Sequence, residues 1–477
     1  MTAPASNPIP VQRINLSTEI EEALYEVRKT IHPRAVHGWF AGWRWTLVWF
    51  TQILFYGSAW LTWNGRQAVL FDLAARKFHI FGLVLWPQDF IFLAVLLIIS
   101  AYALFLFTAV AGRLFCGYAC PQTVYTEIFM WIERKVEGDR NARIKLDKAA
   151  LSPQKMFRKT AKHALWIALA LWTGFTFVGY FTPIRTLGIE FVTWTLGPWE
   201  TFWIFFYALA TYGNAGWMRE QVCKYMCPYA RFQSAMFDQD TMIITYDAGR
   251  GDPRGSRSRR ADPKTLGLGD CVDCGICVEV CPTGIDIRKG LQYECIGCAA
   301  CIDGCDQVMD KMGYAKGLIR YSTDNAVKLH WSRAEIWRHV ARPRTLIYSG
   351  ILVLIVAAFF TALIVRVPLK VDVIRDRGAM ARVVEDGIIE NVYRLQIINT
   401  QEDFHRFRVT VSGIDGIFVA SEEIVELPGA STKAFPVRVR VAPGNGNPGS
   451  NKIEFGIKAM NHDNIAVREK SVFLIPR

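Results

Sequence analysis

Eight of the chain's cysteines fall into two copies of one spacing, C-x2-C-x2-C-x3-C. The first copy is Cys271, Cys274, Cys277 and Cys281; the second is Cys295, Cys298, Cys301 and Cys305. Bacterial iron–sulfur proteins use this spacing to ligate paired 4Fe–4S clusters, three close thiolates wrapping one cluster while the fourth crosses to the other. The expected sets are therefore Cys271, Cys274, Cys277 and Cys305 around one cluster, and Cys295, Cys298, Cys301 and Cys281 around the second. Pro282 follows Cys281 as the run prefers, whereas Asp306 follows Cys305 and leaves the ligand count intact. Zinc would take four ligands in two pairs, not two interlocked quartets. The chemistry implied is the movement of single electrons.

The other four cysteines form an internal repeat, Cys-Gly-Tyr-Ala-Cys-Pro at 116–121 and Cys-Lys-Tyr-Met-Cys-Pro at 223–228, with Arg113 and Arg219 just upstream. Pro121 and Pro228 suit the first position of a helix. Cys120 and Cys227 would then sit at helix N-termini, where the dipole lowers a thiol's pKa. A spacing of four places both sulfurs of a pair on one helical face, so Cys116 with Cys120, and Cys223 with Cys227, could each grip an ion. Soft thiolates select Cu(I), zinc or iron–sulfur clusters. All four could instead converge on one metal or one further cluster, or pack as buried structural cysteines. Met130 and Met226 lie nearby as possible thioether ligands, although core packing is the simpler reading for both.

These residues need a frame, and the composition points to a membrane. The chain is 51% hydrophobic and 13% aromatic with 16 Trp. Five stretches approach the roughly 20 apolar residues that cross a bilayer: Trp45–Trp63, Phe90–Ala111, Ala164–Phe181, Trp199–Trp217 and Thr345–Val365. The fourth is the weakest, since it carries Glu200 and ends in Tyr-Gly-Asn-Ala-Gly. Residues 112–163 hold 11 Lys and Arg, while 182–198 hold only Arg185 and 64–89 only Arg66, Arg76 and Lys77. By the positive-inside rule the N-terminus, the 112–163 loop and both quartets are expected in the cytoplasm, with the C-terminal segment across the membrane. The net charge of +12 fits anchoring on that face better than nucleic-acid binding. No secretory signal peptide is expected, because the first apolar run is too long.

The expected organisation has a cytoplasmic segment at 1–42, four spans in two hairpins at 43–217, and the second motif with a basic linker at 218–264. A cluster domain follows at 265–344, then a fifth span at 345–366 and a β domain at 367–477. The linker GRGDPRGSRSRRADPK at 249–264 reads as a solvated tether, its RGD triplet without meaning in the cytoplasm. Beyond the last span the pattern turns to period two. Phe407, Val409 and Val411, then Phe435, Val437, Val439 and Val441, then Ile453, Phe455 and Ile457 alternate with polar residues. A small immunoglobulin-like sandwich is expected there. Its His405, Met460 and His462 read as scattered surface residues rather than a metal site. No His lies within an expected span, His163 being at an edge, which argues against membrane haem. No G-x-G-x-x-G fingerprint follows a strand, so no nucleotide site is expected. The electron donor is left open.

Taken together, CGYACPQTVYTE at 116–127, REQVCKYMCPYARFQ at 219–233, TYDAGRGDPRG at 245–255, both bacterial-type ferredoxin runs and the C-terminal β pattern resemble the FixG/CcoG/RdxA family of cytochrome c oxidase accessory proteins. The resemblance spans almost the whole chain. It implies a multi-pass protein of the bacterial inner membrane with two 4Fe–4S clusters. Its implied role is to reduce Cu(II) to Cu(I) for assembly of cbb3-type oxidase, with copper at Cys116, Cys120, Cys223 and Cys227. The implied partners are the oxidase assembly machinery or copper donors. Two other readings compete: an electron relay without copper of its own, between a quinol or soluble donor and a respiratory partner, and a non-catalytic copper-holding chaperone.

Overall fold

The computed structural model describes residues 31–263, 265–376, 381–462 and 464–476. Most of the expected segment 1–42 therefore lies outside the described residues. Helix α1 covers Trp39–Ser58. A two-stranded hairpin at 62–67 and a three-stranded antiparallel sheet follow, β1 (Val69–Asp72), β2 (Lys77–Ile80) and β3 (Leu83–Leu85). Then come α2 (Phe90–Ala111), the short α3 (Leu114–Tyr118) and α4 (Pro121–Glu137). The expected third span, Ala164–Phe181, is covered as far as Val178 by the longer α5 (Pro153–Val178). Next, α6 (Ile184–Thr193) occupies a stretch expected to be loop, and α7 (Pro198–Thr211) runs into π-helical turns at Tyr212–Met218 and Val222–Met226. Helix α8 (Pro228–Met236) carries the second motif onward.

Among the described residues, three helices are long and apolar enough to cross a membrane: Pro87–Ala111, Pro153–Val178 and Pro343–Val365. They cover the second, third and fifth expected spans. The first and fourth expected spans are largely helical but do not meet that measure: α1, 20 residues long, carries Arg44, Gln52 and four tryptophans and is not apolar enough, and the last turns of the fourth, with Asn214 and two glycines, loosen into π-helix.

The cluster module starts earlier than expected. Strand β4 (Ile243–Tyr246) pairs antiparallel with β5 (Ile319–Ser322), enclosing both cysteine runs and α9 (Ala300–Met312). The basic segment between β4 and the first cysteine is not the solvated tether expected from composition. Arg250 pairs with Asp270 at 2.6 Å, and Arg257 donates to the carbonyls of Gly269 (2.7 Å) and Cys271 (3.3 Å) and to the Tyr314 hydroxyl. These guanidiniums satisfy backbone oxygens of the loop entering the first quartet, while Arg254, Arg259 and Arg260 remain exposed.

Helix α1 begins on this module. Asp303 of α9 accepts from the backbone N–H groups of Phe40 (3.2 Å) and Ala41 (2.7 Å), donors that a helix start leaves unpaired. One turn on, buried Arg44 donates to the Cys298 carbonyl at 2.7 Å. At the far end of α2, about 33 Å away at 1.5 Å per residue, Asp89 pairs with Arg366 at 2.6 Å and with Lys370. Arg366 follows α10 (Pro343–Val365), which returns antiparallel along α2 with Tyr102 beside Tyr348 and Phe92 beside Phe359. The cluster module and the C-terminal domain thus occupy opposite ends of the apolar helices.

The C-terminal domain is a β-sandwich. Its strands are β6 (Leu369–Arg375), β7 (Ile389–Asn399), β8 (His405–Ser412), β9 (Phe418–Val419), β10 (Ile424–Leu427), β11 (Ser431–Val441), β12 (Gly449–Ala459) and β13 (Ala466–Ile475). One sheet runs β9-β11-β7-β6, with residues 382–383 also on β7, and the other runs β10-β8-β12-β13. The period-two residues line its core: Phe407, Val409, Val437, Val439 and Phe455 are fully buried, and Tyr393 meets Phe455 edge-on at 5.0 Å. His405 is not a surface residue. It is buried, bonded to Gln401 at 2.7 Å, with the His462 ring 5.4 Å away, while Met460 is exposed.

Behind the second motif sits a buried ion network. Glu133 bonds Arg143 and Arg219 at 3.0 Å each, and Lys162 bridges Glu133 and Glu137. Burial alone would raise the Glu133 carboxyl, but Arg219, Arg143 and Lys162 outweigh it and hold the group below its usual range. Its contribution to stability is therefore complete above the ordinary carboxylate pKa and fades as pH falls through the lowered value. Glu133→Gln should cost about 3–5 kcal/mol by stranding buried cations, seen as a lower Tm at neutral pH and a much smaller difference from wild type in strong acid.

Candidate iron–sulfur and four-cysteine site

The eight cysteines of the two runs line two small cavities. Cys271, Cys274, Cys277 and Cys305 line one small cavity, closed by Tyr246, Ile276, Leu318 and Ile319. Cys281, Cys295, Cys298 and Cys301 line a second, closed by Ile244, Ile285, Ile287 and Ile296, with Cys277 between the two. The donor set fits 4Fe–4S clusters: each cavity presents four sulfurs in an apolar shell. Backbone N–H groups of Gly297 and Ala300 are aimed at Cys295 and Cys298. Burial pushes the Cys295 and Cys305 thiols up to about 12 and Cys277 to about 11. Loading a cluster must therefore displace thiol protons.

The remaining four cysteines come together beside the second quartet. Cys120 and Cys227 are helix N-caps with Pro121 and Pro228 at the first position, as expected. The pairs do not, however, lie on continuous helices. Cys116 is in α3, the chain turns at Ala119 and Cys120, and Cys223 sits in a π-helical turn. Their proximity across the repeats shows in their mutual repulsion as thiolates: Cys116 feels Cys120 and Cys227, and Cys223 feels the other three.

The expected low-pKa thiolate at Cys120 does not hold. The N–H groups of Gln122 and Thr123 do pull its pKa down, but burial outweighs them and the net shift is upward. Burial likewise raises Cys116 to about 11 and Cys223 to about 12. Without a cation Cys116, Cys120 and Cys223 are thiols. Among the described residues no three His, Cys, Asp or Glu are drawn to single-ion spacing.

Each repeat is held by the other. Gln233 of α8, fully buried, places its side-chain amide 3.4 Å from the Cys116 sulfur. In return Gln122 of α4 donates to the Asn214 and Arg219 carbonyls of the second repeat. Arg113 and Arg219, three and four residues upstream of their motifs, do different work. Arg219 enters the Glu133 network, whereas Arg113 donates to Tyr293, to Cys295 (3.1 Å) and to Ala230 of α8 (2.6 Å). One guanidinium therefore joins the first motif, the second motif and the second cluster loop. These polar partners gave no spacing signal; only the upstream arginines were visible in the repeat.

Contact with the cluster loop is backbone to backbone. A Cβ on Gly117 would stand 2.7 Å from the Gly297 oxygen and 2.8 Å from the Cys298 Cα, and Gly297 itself has φ +69°. Cys116 and Cys223 pack with Cys298, Cys301 and Ile296 in one apolar cluster. A cavity of about 330 Å³ runs beside them, its wall including Cys223, Cys298, Glu127 and Met130. Met226 is instead 58% exposed.

Fold and site together define an iron–sulfur electron-transfer protein: a two-quartet ferredoxin module set on apolar helices, with an immunoglobulin-like domain at their other end. Family models agree segment by segment. A 4Fe–4S dicluster domain matches residues 218–324, a 4Fe–4S binding domain matches 93–137, and the IG-like fold at the C-terminus of FixG matches 359–476. The chain is 38% identical over 429 residues to the nitrogen fixation protein FixG of Rhizobium meliloti, covering 83% of this chain and 82% of that protein. It is 39% identical over 406 residues to RdxA of Cereibacter sphaeroides (83% and 85% covered) and 38% identical over 438 residues to RdxB of the same organism (89% and 91%). A crystal structure of a FixG-related protein from Vibrio parahaemolyticus aligns at 20% identity over 22% of this chain and 95% of that one, with a TM-score of 0.21. The chain belongs to the FixG/RdxA family.

Gly117→Ala should force the first motif off the cluster loop, costing about 1–3 kcal/mol as overpacking. The expected readouts are a lower Tm and a changed EPR signal from one of the two clusters, with the other unaltered.

Proposed function

We propose that this chain is a membrane-bound reductase that converts Cu(II) to Cu(I) at Cys116, Cys120, Cys223 and Cys227, supplying assembly of a cbb3-type cytochrome c oxidase. The observation that carries the reading is the shared apolar cluster of Cys116 and Cys223 with Cys298 and Cys301. It sets two of the four sulfurs against Cys298 and Cys301 of the second quartet, which supports a soft acceptor there. When bound, the iron–sulfur clusters supply electrons one at a time, and a Cu(II) substrate ion needs one.

The residues of this chain do the rest. Four sulfurs stabilise Cu(I) over Cu(II) and so favour reduction. The ion's charge offsets the burial that otherwise keeps Cys116, Cys120 and Cys223 protonated, so copper uptake releases protons and strengthens as pH rises. Glu127 and Met130 on the neighbouring cavity wall offer an approach to Cys223. Three apolar helices, with basic loops on the cluster side, support a multi-pass inner-membrane placement with the cluster module in the cytoplasm. The C-terminal sandwich, at the other end of α2 and α10, is then periplasmic, and the oxidase assembly machinery or a copper donor is its proposed partner.

A second reading is favoured by one observation. The 4Fe–4S binding model over 93–137 contains only Cys116 and Cys120 as thiol donors, and the four sulfurs are not closed to single-ion spacing. On this reading they hold a further cluster, and the chain is an electron relay without copper.

One variant separates the two. Replacing Cys116, Cys120, Cys223 and Cys227 with Ala should abolish Cu(II) reduction by the dithionite-reduced protein and remove bound copper, with iron content and both EPR signals retained. Loss of one cluster's worth of iron would establish the relay reading instead, and surviving Cu(II) reduction would overturn the copper site.

A further inference from the structure

The donor of electrons is the missing partner of this machinery, and a second cavity bears on it. It has a volume of about 390 Å³ and lies between α1 and α2, over α3, within the range of small-molecule sites. Its walls are almost wholly apolar, with Leu47 of α1 and Phe115 of α3 among them. Trp43 and Phe107, 49% and 45% exposed, stand at its rim on the flanks of the helices.

Two hydroxyl-bearing rings, Tyr118 and Tyr321, interrupt this apolar lining. Tyr118 is buried, and its hydroxyl is 3.5 Å from that of Tyr321. Tyr321 donates to the Gly297 carbonyl at 2.6 Å, between the cluster ligands Cys295 and Cys298. The Tyr321 proton is thus committed, leaving its lone pairs and the Tyr118 hydroxyl to meet a guest. The cavity has an apolar mouth, two phenols inside, and the cluster loop one hydrogen bond beyond. A charged soluble donor finds no countercharge there; a flat apolar ring with two oxygens does find partners.

We propose that this cavity binds a membrane quinol that serves as electron donor, its ring oxygens at Tyr118 and Tyr321 and its tail leaving past Trp43 and Phe107 into lipid. The proposal rests on the membrane and copper-reduction reading above. In the net step both quinol O–H bonds break, two protons pass to water, and the two electrons would be accepted singly by the clusters that the two cysteine quartets would hold. One quinol and two Cu(II) give one quinone, two Cu(I) and two protons. Two one-electron carriers in one module match a two-electron donor to a one-electron substrate.

The test is a titration of the full-length protein in lipid nanodiscs with the quinol analogue 2-heptyl-4-hydroxyquinoline N-oxide, followed by quenching of its fluorescence. Wild type should bind it. Tyr118→Phe, which removes only a hydroxyl, and Leu47→Trp, which fills the cavity, should each weaken binding about tenfold or more, with the cluster EPR signals kept. If Leu47→Trp disturbs the clusters, Tyr118→Phe decides alone. Absence of binding to wild type, equal binding by Tyr118→Phe, or displacement by a plain heptyl alcohol as readily as by a short-tailed quinol would overturn the proposal. Binding with no dithionite-driven Cu(II) reduction in wild type would instead sink the copper reading and leave the quinol site standing.

Discussion

The arrangement depends on one buried guanidinium. Arg113 sits at the turn between α2 and α3, 7% exposed, and bonds carbonyls of Tyr293, Cys295 and Ala230. A buried charge without partners is costly, so these oxygens and this side chain hold each other in place, in charge-assisted bonds stronger than neutral ones. Burial pulls the guanidinium's pKa down, and thiolates formed at Cys116, Cys295 and Cys223 would pull it back up. The same residue that ends the apolar helix therefore faces both sets of sulfur.

From that anchor the rest of the contact follows. Gly117 can lie on Gly297 and Cys298 only because it has no side chain, and Gly297 in turn passes close to the Arg113 backbone. Gln233 and Gln122 then lock each repeat to the other. The Glu133 network performs at the second motif part of what Arg113 does at the first, fixing Arg219 four residues before Cys223. The duplication is thus symmetric in sulfur and asymmetric in support. At the other end, buried Asp89 ties α2 and α10 to the sandwich through Arg366 and Lys370, so the helices join two modules.

Much of the cluster chemistry was legible because ligand spacing is local information. Eight cysteines at fixed intervals leave few ways to bind two clusters, and the crossed sets Cys271, Cys274, Cys277, Cys305 and Cys295, Cys298, Cys301, Cys281 follow from the run itself. The sandwich was legible for a similar reason: alternation along a strand records which face is buried. The linker misled, because a run of arginines looks the same whether it meets water or, like Arg250 and Arg257, the carbonyls of a folded loop. Cys120 misled too. A proline after a cysteine announces a helix start, but the dipole's effect on the thiol competes with burial, and burial depends on what packs above it.

The sequence by itself determined the ligand sets, the strand pattern, the apolar segments and the duplicated motif, since each is written in spacing of a few residues. Only the tertiary structure decided that the two motifs meet, that they meet at the second cluster rather than the first, and that the thiols are buried. It also decided that tyrosines 203 residues apart share one apolar cavity. Those are contacts between distant segments, set by which surfaces exclude water from one another, and no local spacing records them.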